Sequence, residues 1–205
     1  MIISARNAKT MRAVITGGPS VGKTTIISLL AERGFRVVEE FATQIIKEGK
    51  FLPWIDRAKF QAEVLRRQVQ AESAIRNHPG PIFLDRGLFD GEAYYIYDKL
   101  EIPSAFSYLD ASHYSLAFLI EELPFFEKNE VRRENLEFSR QLSIVLESCY
   151  TRRNVHVVRV PAMPPEERVQ FVIDEFEKHS LAVARKQLES ERQSAAPHLI
   201  PALAV

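Results

Sequence analysis

The stretch AVITGGPSVGKTT, residues 13–25, decides the fold. A short apolar, β-branched run enters a glycine-bearing turn, and an apolar helical pattern resumes directly after it. Within the turn Gly17, Gly22, Lys23 and Thr24 satisfy G-x-x-x-x-G-K-[ST], the pattern of a phosphate-binding loop. Each residue type has a physical reason. Glycines let successive backbone N–H groups turn inward around an anion, and a helix beginning at Lys23 aims its positive end at the same point. Lys23 can then reach the β- and γ-phosphates, while the Thr24 hydroxyl is a ligand for Mg²⁺. The expected cradle for a nucleoside triphosphate is therefore Gly17, Gly18, Pro19, Ser20, Val21, Gly22, Lys23, Thr24 and Thr25.

Outward from this loop the chain alternates apolar strand-like runs with helical stretches, the pattern of a parallel sheet covered on both faces. AVITGG (13–18) is the first strand, and TTIISLLAERG is a helix stopped by Gly34. FRVVEE (35–40) is the second strand. Two helical segments follow, FATQIIKEG and a longer one from about Ile55 to Arg76, in which Ala58, Ala62, Leu65 and Val69 recur at helical spacing. PIFLD (81–85), SLAFLIEEL (115–123) and VHVVRV (155–160) are the third, fourth and fifth strands. ENLEFSRQLSIVLESCYTRR is helical, and Pro164–Pro165 before an acidic turn starts a further helix, PPEERVQFVIDEFEKH. The tail after Ser180 mixes helical and Ala/Pro-rich character.

Composition bounds the function classes. The 205 residues suit one domain with a substantial core, and no linker divides them. Lys+Arg and Asp+Glu are equal at 27 each, which argues against a nucleic-acid footprint or a polybasic membrane surface. The single cysteine, Cys149, lies in an apolar helical pattern with Leu142, Val145 and Leu146 and reads as a buried thiol. No signal-peptide core and no membrane-length apolar run is present, so a cytoplasmic protein is expected. The five histidines show no metal-ligand spacing.

PIFLDRG (81–87) narrows the choice among phosphate-loop proteins. A guanine-specific GTPase would carry N/T-K-x-D late in the chain, and none is present. An AAA+ motor would close its Walker B strand on an acidic pair, whereas Asp85 is followed by Arg86. Both readings weaken, and the third branch is the nucleoside and nucleotide kinases.

From about Met11 to His179 the chain resembles the NadR-type P-loop family, the small AAA-like ATP-binding domain related to ribosylnicotinamide kinase and, more distantly, to deoxynucleoside and thymidylate kinases. The resemblance rests on VITGGPSVGKTT, RGFRVVEEFA, PIFLDRGLFDGEAY, LPFFEKNEVRREN and VVRVPAMPPEERVQFVI, in that order. It implies an α/β, three-layer P-loop NTPase fold with a five-stranded parallel sheet of nucleoside/nucleotide-kinase type, using ATP and Mg²⁺. It further implies a domain over residues 11–180, with 1–10 and 181–205 as terminal extensions.

Several residue roles follow, each beside a plainer one. Asp85 stands where a Walker B acid holds Mg²⁺ with Thr24, or else caps a turn before Gly87. Arg86 neutralises the transferring phosphoryl group, or pairs with Glu39, Glu40 or Asp90. Alternation on strand 2 sends Glu39 and Glu40 to opposite faces. By resemblance Glu40, directly before Phe41, is the candidate general base for the acceptor hydroxyl, and a helix N-terminal acid otherwise. The family often carries an arginine shortly after this acid, where this chain reads Ala42–Thr43–Gln44. Lys128, Arg132 and Arg133, next to Phe125–Phe126, form a candidate lid whose arginines reach the γ-phosphate on closure, or else a solvated helix face. Pro161, Ala162 and Met163 flank the adenine in this family. Trp54, Phe60, Tyr94, Tyr95 and Tyr97 are weak candidates for stacking an acceptor ring. The expectation is an ATP-dependent kinase acting on an unidentified small-molecule acceptor. The alternative is a regulatory ATP-binding or ATPase module whose nucleotide state controls a protein partner.

Overall fold

The computed structural model describes residues 11–122 and 130–194, without the side chains of 130–136, 193 and 194. Five strands, β1 (Arg12–Thr16), β2 (Arg36–Val38), β3 (Ile82–Asp85), β4 (Tyr114–Ile120) and β5 (Val157–Val160), form one sheet in the order β2-β3-β1-β4-β5. Every pairing is parallel. The expected five-stranded parallel α/β architecture is present.

Among the described residues six α-helices accompany the strands: α1 (Lys23–Glu32), α2 (Ala42–Glu48), α3 (Arg57–Ala74), α4 (Leu88–Tyr97), α5 (Glu130–Thr151) and, after β5, α6 (Pro165–Ser194). Strand alternation sorts the core into two layers. Val14 and Leu84 face Phe89 of α4 and Leu142, Leu146 and Tyr150 of α5. Ala13, Ile15 and Phe83 face Ile26 and Leu30 of α1 and Val169, Val172 and Phe176 of α6. Burying such Leu, Ile, Val and Phe side chains contributes about 1.5–3 kcal/mol each. Cys149 is buried in the α5 layer, as its pattern indicated, and burial pushes its thiol up to about 12.

Four details differ from the sequence reading. Strand β2 ends at Val38, whose partner Leu84 is the last residue of β3 to pair with it, so Glu39 and Glu40 lie beyond the strand. Helix α3 packs only half of its apolar stripe, Ala58 and Leu65, against the core. Ala62 and Val69 are exposed, and the buried face carries Gln61, Gln68 and Glu72 beside Phe60. A buried polar face needs internal partners, and those partners surround the candidate site. Helix α4 has no sequence assignment, although seven of its ten residues are buried. Helix α6 continues past His179 to Ser194. Among the described residues no helix is long and apolar enough to cross a membrane.

Candidate active site

Parallel strands direct their carboxyl ends to one edge, where ligands of open α/β sheets bind. Register fixes what collects there. Ile15 pairs with Asp85 and Thr16 pairs with Leu119, so the loop leaving β1 emerges beside the acid ending β3. Gly22, which heads α1, adopts φ +94°, a left-handed conformation that glycine takes without a Cβ penalty. At Gly18 a Cβ would stand 2.8 Å from Cα of Ser139, so the loop packs directly on α5.

Pro19, Ser20, Gly22, Lys23, Thr24 and Thr25 line a cavity of about 350 Å³ together with Glu40 and Arg86. Lys23 Nζ donates to the Gly18 carbonyl at 2.6 Å. Burial, then the nearby Arg86 charge, lowers the Lys23 ammonium to about 7 despite the surrounding acids. Thr24 Oγ1 donates to Asp85 Oδ2 at 3.3 Å, so the two expected metal ligands meet. Asp85 Oδ1 is buried without a hydrogen-bond partner. Burial raises Asp85 to about 6, against the pull of Arg86 and Lys23. An orphaned buried carboxylate oxygen beside a hydroxyl fits a magnesium ion, which takes one or two protein oxygens and completes its shell with water and phosphate. Among the described residues no cluster of three His, Cys, Asp or Glu forms a self-sufficient metal cage.

Arg86 is the hinge of the arrangement. It adopts φ +71°, strained for a residue with a side chain, and its backbone is held on each side. Its N–H donates to the Ile15 carbonyl at 3.0 Å and its carbonyl accepts from Gln68 Nε2 at 3.1 Å. The next two amides donate to Asp90 Oδ2 at 3.0 Å and to Tyr114 Oη at 2.8 Å. The guanidinium donates from Nε to Glu40 at 2.6 Å and from Nη1 to Asp90 at 3.2 Å, and lies over the Tyr94 ring at 5.6 Å. Burial opposes its charge, yet Tyr94, Asp90 and Glu40 together hold its pKa well above the ordinary arginine value. Burial pushes Glu40 toward its neutral form, but Arg86, Lys23 and Thr43 outweigh that and keep its carboxyl below the usual range. Glu39 is exposed and lines a groove beside α1 and α2 that borders the site at Thr24, Glu40 and Asp85. Of the two acids, the structure brings Glu40 to Arg86.

Asp90 is a residue whose importance the sequence reading missed. It is 2% exposed and accepts four hydrogen bonds. Oδ1 takes Thr16 Oγ1 at 2.7 Å and Arg86 Nη1 at 3.2 Å, while Oδ2 takes Gly87 N at 3.0 Å and Tyr150 Oη at 2.5 Å. The i,i+4 spacing from Arg86 was its one sequence signal. Arg168, also missed, ties the phosphate loop to the loop after β5 through Val21 O and Pro161 O. Pro161 and Ala162 are exposed on that loop, and Met163 packs partly on the core.

A second cavity, of about 170 Å³, opens on the other side of Glu40 and Arg86. Phe41, Phe60, Leu65, Leu88 and Tyr94 supply apolar walls, with Gln61 and Asp90 among its polar groups. The aromatics named from sequence therefore divide. Phe60 and Tyr94 line this cavity, while Tyr95 donates to Ala58 O and Tyr97 packs edge-on to Phe138. Trp54 is 70% exposed. Arg132 and Arg133 fall within the first turns of α5, with side chains outside the described set, and Lys128, Phe125 and Phe126 lie outside the described residues.

A phosphate loop, an acid at the neighbouring strand end and a second cavity reached past an arginine define a P-loop protein of nucleoside/nucleotide-kinase architecture. Residues 12–168 match a family model described as AAA domain, and the chain belongs to that family. Among solved structures, a NadR protein in complex with NR superposes with TM-score 0.62 at 20% identity, over 84% of this chain and 51% of that one. This chain thus spans about half the length of that NadR protein. Shikimate kinase from Aquifex aeolicus (TM-score 0.52, 21% identity) covers 83% of this chain and 99% of its own. Thymidylate kinase from Ehrlichia chaffeensis (TM-score 0.56, 15% identity) covers 83% and 100%. No curated protein matches the sequence. The expected NadR-type, AAA-like resemblance is borne out by the family match and by these shared folds.

Proposed function

We propose that this protein is a Mg·ATP-dependent kinase that transfers the γ-phosphoryl group to a hydroxyl of a small nucleoside- or riboside-like acceptor. The observation that carries the reading is that the phosphate-loop cavity and the aromatic-walled cavity share Glu40 and Arg86 as their common border. A hydrolase or switch has no need of a second cavity at that point.

In this reading the loop amides and Lys23 hold the β- and γ-phosphates. Thr24 and Asp85 hold Mg²⁺, which supplies charge neutralisation to the transferring group. The acceptor lies between Phe60 and Tyr94 with its hydroxyl at Glu40. That carboxylate takes the hydroxyl proton as the acceptor oxygen bonds to the γ-phosphorus, and the bond to the bridging oxygen breaks to release ADP. Arg86 exchanges its Glu40 contact for the phosphoryl oxygens, which frees Glu40 as it stabilises developing charge. Arg132 and Arg133 complete that stabilisation when the lid closes.

The test is ADP release by purified protein with Mg²⁺ and ATP, alone and against a panel of nucleosides, ribosides and sugars, with Lys23→Ala beside it. One acceptor raising turnover far above the water background supports the kinase. Equal slow turnover with every compound would favour the regulatory module.

A further inference from the structure

Arg168 stands on the first turns of α6, is 2% exposed, and makes no ion pair among the described residues. Its guanidinium instead donates to three backbone carbonyls: Nη1 to Val21 at 2.8 Å, Nη2 to Glu121 at 2.7 Å and Nε to Pro161 at 3.0 Å. These belong to the phosphate loop, the end of β4 and the loop leaving β5. A buried cation bonded only to neutral acceptors is costly, and a packing role alone does not require the charge.

The peptide bond supplies the missing reason. A trans peptide is planar, and its C=O and the following N–H point in opposite directions. A donor that pulls the Val21 carbonyl outward therefore turns the Gly22 N–H inward, toward the anion cradle. Charge-assisted bonding to a carbonyl also polarises its peptide and strengthens the N–H as a donor. Gly22 itself sits in the left-handed region, and a Cβ there would stand 3.8 Å from Arg168 Nη1.

We infer that Arg168 is a nucleotide-positioning residue: one buried guanidinium sets and polarises the Gly22 amide for the phosphates. The inference rests on the nucleotide-binding part of the proposed function and needs no acceptor. It makes the positive charge behind the phosphate loop part of the binding site, although Arg168 touches no ligand. Burial lowers its pKa, and the Glu121 charge partly offsets that.

The experiment is calorimetric titration of wild type, Arg168→Lys and Arg168→Met with ATP, AMP, adenosine and inorganic tripolyphosphate, with Tm recorded for each variant. Arg168→Met is expected to weaken ATP and tripolyphosphate by about 10- to 100-fold and adenosine much less. Arg168→Lys, which keeps the charge and loses the fork, should recover part of the tripolyphosphate and ATP binding that Arg168→Met loses. Equal losses for adenosine and ATP, or a fall in Tm with unchanged ATP affinity, would overturn the assignment. Should Arg168→Met fail to fold, Arg168→Lys and the wild-type amide spectrum decide. ATP must shift the Gly22 resonance, and an unmoved Gly22 amide would overturn the assignment. No ATP binding by wild type would instead refute the nucleotide reading beneath it, a distinct outcome.

Discussion

Replacing Asp90 by Asn tests whether a single buried carboxylate organises the site. Asn keeps the outline of the side chain but offers one acceptor oxygen in place of two. In the better orientation that oxygen stays with Thr16 and Arg86, and the new NH₂ faces Gly87 N–H and Tyr150 Oη. The tyrosine hydroxyl can turn to accept, whereas the backbone amide cannot, so one buried N–H is orphaned at about 1–3 kcal/mol. The Arg86 bond loses its ionic character as well, which costs about 1.5–3 kcal/mol. The sum, about 4 kcal/mol, matches the usual loss on breaking a buried ion pair and is a large share of a typical 5–15 kcal/mol stability. Urea unfolding reads it as a lower midpoint at unchanged slope. A double-mutant cycle with Tyr150→Phe adds a second reading. That substitution should cost less in the Asp90→Asn background than in wild type, because its charged partner is already gone. A loss below about 1 kcal/mol, or an additive cycle, would show that Asp90 is not the organising group.

Other outcomes follow from the same geometry. Asp85 binds its proton more tightly folded, at about 6, than unfolded, at 3.8, so the folded chain carries the extra proton between those values and ligand-free stability falls as pH rises through them. Asp85→Asn should flatten that slope in urea midpoints taken across pH 4–6, and an unchanged slope would contradict the assignment. Lys23 runs the other way: its pKa drops from 10.5 to about 7 on folding, so ligand-free stability should rise between those values, and Lys23→Met should remove the rise. Gly18→Ala should destabilise by about 1–3 kcal/mol in thermal or urea unfolding, because its methyl meets the α5 backbone at Ser139. Arg132→Ala with Arg133→Ala should lower turnover by about 10²-fold while ATP affinity measured by calorimetry stays near wild type.

The phosphate loop and the parallel sheet were legible because their signals are local. A glycine pattern between an apolar strand and an apolar helix has few structural solutions, and buried strands such as IFLD announce themselves by composition. Cys149 was legible for the same reason. What escaped was set by long-range polar pairing. The buried face of α3 carries Gln61, Gln68 and Glu72, which an apolar-periodicity reading assigns to solvent. Their burial makes sense only once Gln68 is seen to bond Glu72 and the Arg86 carbonyl, and Tyr114 to bond Glu72. In the sequence Asp90 is only one of three possible partners of Arg86 and Arg168 only a charge on a helix first turn, because Thr16 and Tyr150, which bond Asp90, and Val21, which bonds Arg168, lie 60 or more residues away. Strand alternation does not separate Glu39 from Glu40, since both lie beyond β2, and the preference for Glu40 rests on its place directly before Phe41. Its approach to Arg86 comes from the turn into α2.

The central claim is that Glu40 and Arg86 separate a phosphoryl donor from a hydroxyl acceptor. The most direct measurement follows the γ-label of ATP in the presence of Mg²⁺ and the acceptor panel, for wild type and Glu40→Gln. The account predicts that wild type moves the label onto one small molecule. It also predicts that Glu40→Gln binds ATP normally while losing about 10²- to 10⁴-fold of that transfer. Label appearing only as inorganic phosphate at an unchanged rate in Glu40→Gln would contradict it.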